Sequence, residues 1–303
     1  MKRKTLAILI PLAFILCLAV GATVFLLCSC NSAKSGGGKN ESGDDPNIEI
    51  IDGTEGLEYT LSDDGKYYIF SGIGSASGAE ITVGNYHSGL PVTSVGDDAF
   101  RSCENIISIT IPYGITDIGS YAFHFCTGLE SLTVPESVKL IGAYAFSGCS
   151  SLASITIPSG ITHIGSSVFS GFTGLKSITI PDGVKSIGNY AFNGCVSLKS
   201  VTINGGVESI GSSAFQNCSS LESVTIPQSV ASVGIYAFRN CTNLTSVIFE
   251  NSEGWAVSVN NNMTDAENIP GPDLKNPATA LEYLKDTYCN YYWKRSVSPG
   301  RAH

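Results

Sequence analysis

Gly119-Ser-Tyr-Ala-Phe-His-Phe-Cys-Thr-Gly-Leu-Glu-Ser-Leu-Thr-Val-Pro-Glu-Ser-Val-Lys-Leu-Ile141 is one of seven versions of a single 23-residue unit. Its opening glycine recurs as Gly96, Gly119, Gly142, Gly165, Gly188, Gly211 and Gly234, and a phenylalanine follows each by four residues, from Phe100 to Phe238. Alanine precedes that phenylalanine in six units, with Val168 the exception. A Leu or Ile recurs ten residues after each glycine, from Ile106 to Leu244. A fixed period of this length marks a repeat architecture.

Within the quoted unit, Leu132-Thr133-Val134 alternates with period two and reads as a short strand with two side chains facing one way. Pro135 ends it, because proline has no amide proton to donate to a ladder. Val138 and Ile141 bring the chain back as a second inward-facing segment. Ala122 and Phe123 are expected on a tight turn, one turn of 3₁₀ helix. A coil of this size cannot enclose its own core. Stacking copies buries Leu on Leu and Phe on Phe, so the expected fold is a mainly β solenoid stabilised between neighbours.

The pattern L-x-S-[IV]-T-I-P-x-x-V-x-x-I-G-x-x-A-F-x-x-C resembles the BspA-type leucine-rich repeats of bacterial surface proteins, over about Gly96 to Phe249. Gly89 to Gly96 resembles the family's lead-in to the first full repeat. Gly254-Trp255 and Tyr291-Tyr292-Trp293-Lys294 resemble a recurring closing segment. The resemblance implies a leucine-rich-repeat solenoid, a curved right-handed coil of short strands and 3₁₀ turns. It also implies contacts with host matrix proteins or other bacteria.

Both ends of such a stack need covers. Tyr59–Leu61 and Tyr67–Phe70 flank Ser62-Asp63-Asp64-Gly65, a hairpin turn signal. This hairpin, with Ile81-Thr82-Val83, is the expected N-terminal cap. At the other end Asn276-Pro277 starts a short helix, asparagine as cap and proline in the first turn, with Leu281, Leu284 and Tyr288 on one face. The expected organisation is a signal peptide with lipobox at 1–29, a flexible tether at 30–47 and an N-terminal cap at 48–95. Seven repeats at 96–257 and a C-terminal cap at 258–303 follow.

The N-terminus reads as an export signal. Lys2-Arg3-Lys4 precedes an apolar run from Leu6 to Leu27, and small polar residues follow. Leu27-Cys28-Ser29-Cys30 resembles a bacterial lipobox, which implies cleavage before Cys30 and acylation of that cysteine. An uncleaved anchor and plain secretion are the alternatives, since about 20 apolar residues span a bilayer. All three place the rest of the chain outside the cytoplasm.

Composition agrees with a folded chain of 303 residues, 43% hydrophobic and 14% charged. The net charge of −9 becomes −12 without the first 29 residues, and no basic stripe is present, so nucleic acid is a poor partner. The membrane is met only through the N-terminal lipid or signal anchor. Six of the ten cysteines share one repeat position, at 103, 126, 149, 195, 218 and 241, and Phe172 fills that position in the fourth unit. A position that accepts Phe is buried apolar space, where free Cys packs as a small hydrophobe. Partial disulfides and a metal site are the alternatives.

The chemistry-bearing residue types fall in no catalytic pattern. His87, His124, His163 and His303 sit in no metal or nucleophile motif, and His124 and His163 read as solvent-facing substitutions. No G-x-S-x-G elbow occurs, and Asp63-Asp64-Gly65 lacks the alternating ligands of a calcium loop. No catalytic residue, cofactor or metal is therefore expected. What remains is surface. Beside uniform Ser/Thr positions runs a variable row, Ile107, Glu130, Ala153, Lys176, Lys199, Glu222 and Thr245, and a second is expected at Lys139, His163, Lys185 and Glu208. Variation on a constant scaffold is how solenoids present a binding face. Glu130, Lys176, Lys199, Glu222 and Thr245 are the candidate face for a protein or glycan partner. The function expected is non-enzymatic surface interaction or adhesion. A self-associating envelope protein is the alternative, and an envelope enzyme accessory the minor one.

Overall fold

A computed structural model describes residues 49–296. The signal segment 1–29, Cys30 and the tether at 30–47 lie outside the described residues, as does the end of the chain from 297.

Each opening glycine begins one coil, numbered here from the first (Gly96) to the seventh (Gly234). Every coil has a turn and a front segment, and the first six have a short return segment. The front strands are Ser108–Thr110, Ser131–Thr133, Ser177–Ile180, Ser200–Ile203, Ser223–Ile226 and Ser246–Phe249. The return strands are Asp117–Ile118, Leu140–Ile141, His163–Ile164, Ser186–Ile187, Ser209–Ile210 and Ser232–Val233. Within both rows most neighbours pair in parallel at an offset of one repeat, as in Ser177 with Ser200 and Ser186 with Ser209, and both rows are broken around the third coil. The sequence period is thus the register of the sheets.

Stacking identical positions makes the core a set of ladders. The seven repeat phenylalanines are all buried, and their rings stack from Phe100 to Phe238 with centroid steps of 5.1–5.7 Å and tilts of 15° or less. Leu129, Leu175, Leu198 and Leu221 are fully buried in the ladder beside them. Burying one such side chain is worth about 1.5–3 kcal/mol, and here the rings stack on those of the adjacent coils.

The turn differs from the expected 3₁₀ helix. In the second coil Tyr121 and Phe125 both have φ of +57°, a left-handed conformation that interrupts any helix. Amides then alternate. His124 and Cys126 N–H donate back three residues, to Tyr121 and Phe123 O, while Tyr121, Phe123 and Phe125 N–H donate to Ala143, Ala145 and Ser147 O of the next coil. A continued helix would have turned Phe125 N–H inward as well. The left-handed residues turn every second amide outward, which adds three hydrogen bonds to each junction from the first coil to the sixth.

The expected hairpin is present as Glu58–Leu61 antiparallel to Tyr68–Gly72. Its turn is held by Ser62 Oγ donating to Asp64 Oδ1 at 2.8 Å and Gly65 N–H donating to Ser62 O at 2.9 Å. Its second strand joins the return row through Leu90–Val95, and Phe70 adds a ring to the stack 4.7 Å from Phe100. Glu80–Thr82 pairs in parallel with Ser108–Thr110, so Ile81 and Thr82 extend the front row itself.

At the far end, helices Gly271–Lys275 and Pro277–Glu282 and a π-helical turn, Tyr283–Thr287, follow the last coil, and the second helix packs on Ser246–Phe249. Asn276 caps that helix, its side chain accepting from Ala278 and Thr279 N–H. A strand not foreseen from the sequence, Tyr292–Arg295, lies antiparallel to both Ser232–Val233 and Trp255–Ser258 and carries the return sheet on to Glu267–Asn268. Its Trp293 is buried beside Phe249 and Trp255, at 5.8 and 6.3 Å between ring centroids.

Candidate binding face

The front strands alternate buried and exposed residues, because successive side chains point to opposite faces. The variable row lies just before each strand, and Glu130, Lys176, Lys199, Glu222 and Thr245 are all exposed. The backbone joins four of them directly. Lys199 N–H donates to Lys176 O at 2.9 Å, Glu222 N–H to Lys199 O at 3.1 Å, and Thr245 N–H to Glu222 O at 3.0 Å. Thr245 Oγ1 adds a 3.1 Å bond to the same Glu222 carbonyl. Glu130 is tied instead to the N-terminal side, its N–H donating to Ile107 O at 2.8 Å. Between it and Lys176 lies Ala153, whose segment forms no strand. The structure therefore brings Lys176, Lys199, Glu222 and Thr245 together and sets Glu130 apart.

The second row needs a correction. His163 pairs with Ser186, so it belongs one position along from Lys139, Thr162, Lys185 and Glu208. Lys185 Nζ lies 3.7 Å from Glu208 Oε1, an exposed pair of the kind that adds little stability. The uniform Ser/Thr ladders are also interrupted, at Ser154 and Thr156.

His163 is exposed as expected, but His124 is not. It is half-buried, with its ring 4.2 Å from Phe125 and 5.4 Å from Tyr121 between centroids. Burial, helped by the Arg101 guanidinium, holds its pKa below the usual histidine value. The repeat cysteines from Cys126 to Cys241 are buried free thiols. Each thiol donates to the backbone carbonyl 26 residues earlier, as Cys149 Sγ does to Phe123 O at 3.1 Å. Burial pushes Cys126 up to about 12 and Cys149 and Cys241 well above the usual thiol range. Such thiols are poor nucleophiles and poor metal ligands. Among the described residues no three His, Cys, Asp or Glu side chains are placed to hold a metal ion.

Two surface features escaped the sequence reading. Tyr121, Tyr144, Tyr190 and Tyr236 form a row at one left-handed turn position, with the first two rings stacked at 4.9 Å. The signal for left-handed turns was present four residues on, where Gly148, Gly171, Gly194, Asn217 and Asn240 recur. A cleft of about 560 Å³ between the N-terminal cap and the first coil is bounded by Ile73, Ile81, Arg101, Cys103 and Ile106. It is made by segments distant in sequence, so no local motif announces it.

The family model described as BspA type Leucine rich repeat region matches six copies over residues 82–188 and 164–268. A leucine-rich-repeat protein of Treponema pallidum is 31% identical, with a TM-score of 0.60 over 63% of this chain and 89% of that one. A leucine-rich cell-surface protein of Faecalibacterium prausnitzii is 30% identical, with a TM-score of 0.60 over 71% of this chain and 57% of that one. A leucine-rich-repeat protein of Eubacterium ventriosum, 24% identical with a TM-score of 0.53, shares the fold. No curated protein matches the chain.

Proposed function

The chain belongs to the BspA-type leucine-rich-repeat family, and from that premise we propose that it is a non-enzymatic bacterial surface module that binds host or bacterial surface proteins or glycans. The binding face is the row Lys176, Lys199, Glu222 and Thr245, with Glu130 at its N-terminal side. One observation carries this reading. Four exposed side chains of differing charge stand on a backbone ladder whose other exposed positions are almost all Ser or Thr. The side chains that vary are held at fixed spacing by groups that do not. The N-terminal signal and a lipid on Cys30 hold the chain outside the cell. The organisation is signal at 1–29, tether at 30–47, cap at 48–95, repeats at 96–257 and cap at 258–303. The name of the Faecalibacterium relative, a cell-surface protein, supports that location.

Seven coils at about 4.8 Å give a row roughly 30–35 Å long. Such a face offers about 500 Å², against about 800 Å² per partner in a standard stable interface. Single-site affinity is therefore micromolar or poorer, strengthened by many copies on one cell. The test is adhesion of cells displaying the full chain to matrix proteins, other bacteria and glycan arrays, with a Lys176→Glu/Lys199→Glu variant as comparison. Loss of binding by tenfold or more, with an unchanged circular dichroism spectrum, is expected. Equal binding by the variant would refute the assignment of the face. Concentration-dependent self-assembly without any external ligand would replace the reading with a structural envelope role. Fatty-acid labelling lost in Cys30→Ala checks the anchor.

A further inference from the structure

The front row is interrupted on both sides of the third coil, and the return row is interrupted between the second and third coils. Leu140–Ile141 of the second coil and His163–Ile164 of the third each pair with their outer neighbours and not with each other. Gly142 N–H donates to Ile118 O and Gly188 N–H to Ile164 O, both at 2.8 Å, and Gly165 has no equivalent bond to Ile141. A Cβ placed on Gly142 would meet Ser120 N at 2.4 Å and one on Gly188 would meet Gly165 C at 2.7 Å, whereas on Gly165 the nearest backbone atom is 3.6 Å away. On the front, Ser131–Thr133 ends one sheet and Ser177–Ile180 begins the next, and 154–157 pairs with neither. Clefts of about 240 and about 270 Å³ flank this segment.

The opposite side stays joined. Tyr121, Phe123 and Phe125 N–H donate across the junction of the second and third coils, and Tyr144, Phe146 and Gly148 N–H across the next. The phenylalanine stack also runs through, though its step from Phe146 to Phe169 is 5.7 Å against 5.1–5.3 Å at the other repeat steps. Across the parted side Glu136 Oε2 accepts from both N–H and Oγ of Ser159 at 2.9 Å, a side-chain strap where the strands are apart.

Local sequence does not explain the gap. Ser154-Ile-Thr-Ile157 and Ser177-Ile-Thr-Ile180 are the same tetrapeptide, one unpaired and one in a sheet. The neighbours differ. The fourth coil carries Phe172 where six coils carry Cys and Val168 where six carry Ala. The Phe172 ring is fully buried and needs more room than a thiol. It also cannot make the bond that Cys149 and Cys195 make to Phe123 and Phe169 O, so Phe146 O lacks that donor.

We propose that the third coil is a hinge, about which the solenoid opens and closes on its sheet side with the phenylalanine stack as spine and Phe172 as the wedge. The motion changes the separation of Glu130 from Lys176 while Lys176, Lys199, Glu222 and Thr245 move as one body. It does not depend on which partner, if any, the face binds.

Hydrogen exchange of the full chain, read at single amides, is the test. Amides of 153–157 and of Gly165 are expected to exchange about a hundredfold or more faster than those of 199–203 and of Gly188. In a Phe172→Cys/Val168→Ala variant, which restores the majority residues, the ladder is expected to close and exchange at 153–157 to slow tenfold or more. Equal protection of the two segments in the unaltered chain would overturn the hinge. A variant that folds with unchanged fast exchange at 153–157 would overturn the role of Phe172, since its smaller side chains would then only leave a cavity. Should the variant fail to fold, the comparison within the unaltered chain still decides the hinge.

Discussion

Phe192→Ala probes the idea that order in this chain exists between coils rather than within them. The ring of Phe192 is fully buried between Phe169 at 5.3 Å and Phe215 at 5.1 Å, tilted from them by 15° and 4°. Truncating a core Phe to Ala costs about 3–5 kcal/mol, and each stacked aromatic pair is worth about 0.5–1.5 kcal/mol beyond its area. Two such pairs place Phe192→Ala at about 4–5 kcal/mol, a large part of the about 5–15 kcal/mol of a typical domain. Phe238 stacks on Phe215 alone in this ladder, at 5.2 Å, so Phe238→Ala should cost about 1 kcal/mol less. Urea unfolding of the full chain measures both, with far-ultraviolet circular dichroism reporting on all coils. Tryptophan fluorescence reports on the C-terminal end, where Trp255 and Trp293 are buried. The midpoint should fall in both signals, since losing one coil's contacts weakens its neighbours. The reasoning fails if Phe192→Ala shifts the midpoint no more than the surface change Lys199→Ala, about 0.5 kcal/mol or less, or if Phe238→Ala proves the costlier of the two.

The buried thiols of Cys126, Cys149, Cys195, Cys218 and Cys241 should resist alkylation in the folded chain and react at once in denaturant, as mass spectrometry after timed labelling would show. Asn276→Ala removes the side chain that accepts from Ala278 and Thr279 N–H and should cost about 1 kcal/mol by urea titration. His124 has its pKa lowered by burial, so the unfolded chain binds a proton there before the folded one does. Its contribution is level at high pH, and stability falls as pH drops through the ordinary value of 6.5 toward the lower folded value, a slope that should flatten in His124→Gln.

The solenoid was legible because its period is also its register. A residue 23 positions on is the spatial neighbour, so the ladders of Phe, Leu and Cys can be read directly from the chain. The hairpin and the Asn276 cap were legible because turn and cap chemistry is local. Tyr292–Arg295 was not, because it is paired only by strands brought from elsewhere in the chain. The turn was misread for a different reason. Tyrosine at a left-handed position is disfavoured by its Cβ, by about 1–2 kcal/mol, so Tyr121 and Tyr144 argue against the conformation they adopt. The outward-turned amides offset that strain with hydrogen bonds to the next coil, a gain that no single unit displays.

The candidate face was legible in composition but not in continuity. The variable row is spaced evenly from Ile107 to Thr245 in the sequence, and nothing in it separates Glu130 from Lys176. In the proposed hinge the separation is set from the buried side of the fourth coil, where one Cys has become Phe172. In a solenoid each layer is the floor of the next, so a change of volume inside one coil is transmitted as a change of spacing outside it. Surface residues can therefore be recognised from their own positions, whereas the distances between them are set by core residues that no partner touches. Two copies of Ser-Ile-Thr-Ile in different pairing states are that rule at its smallest scale.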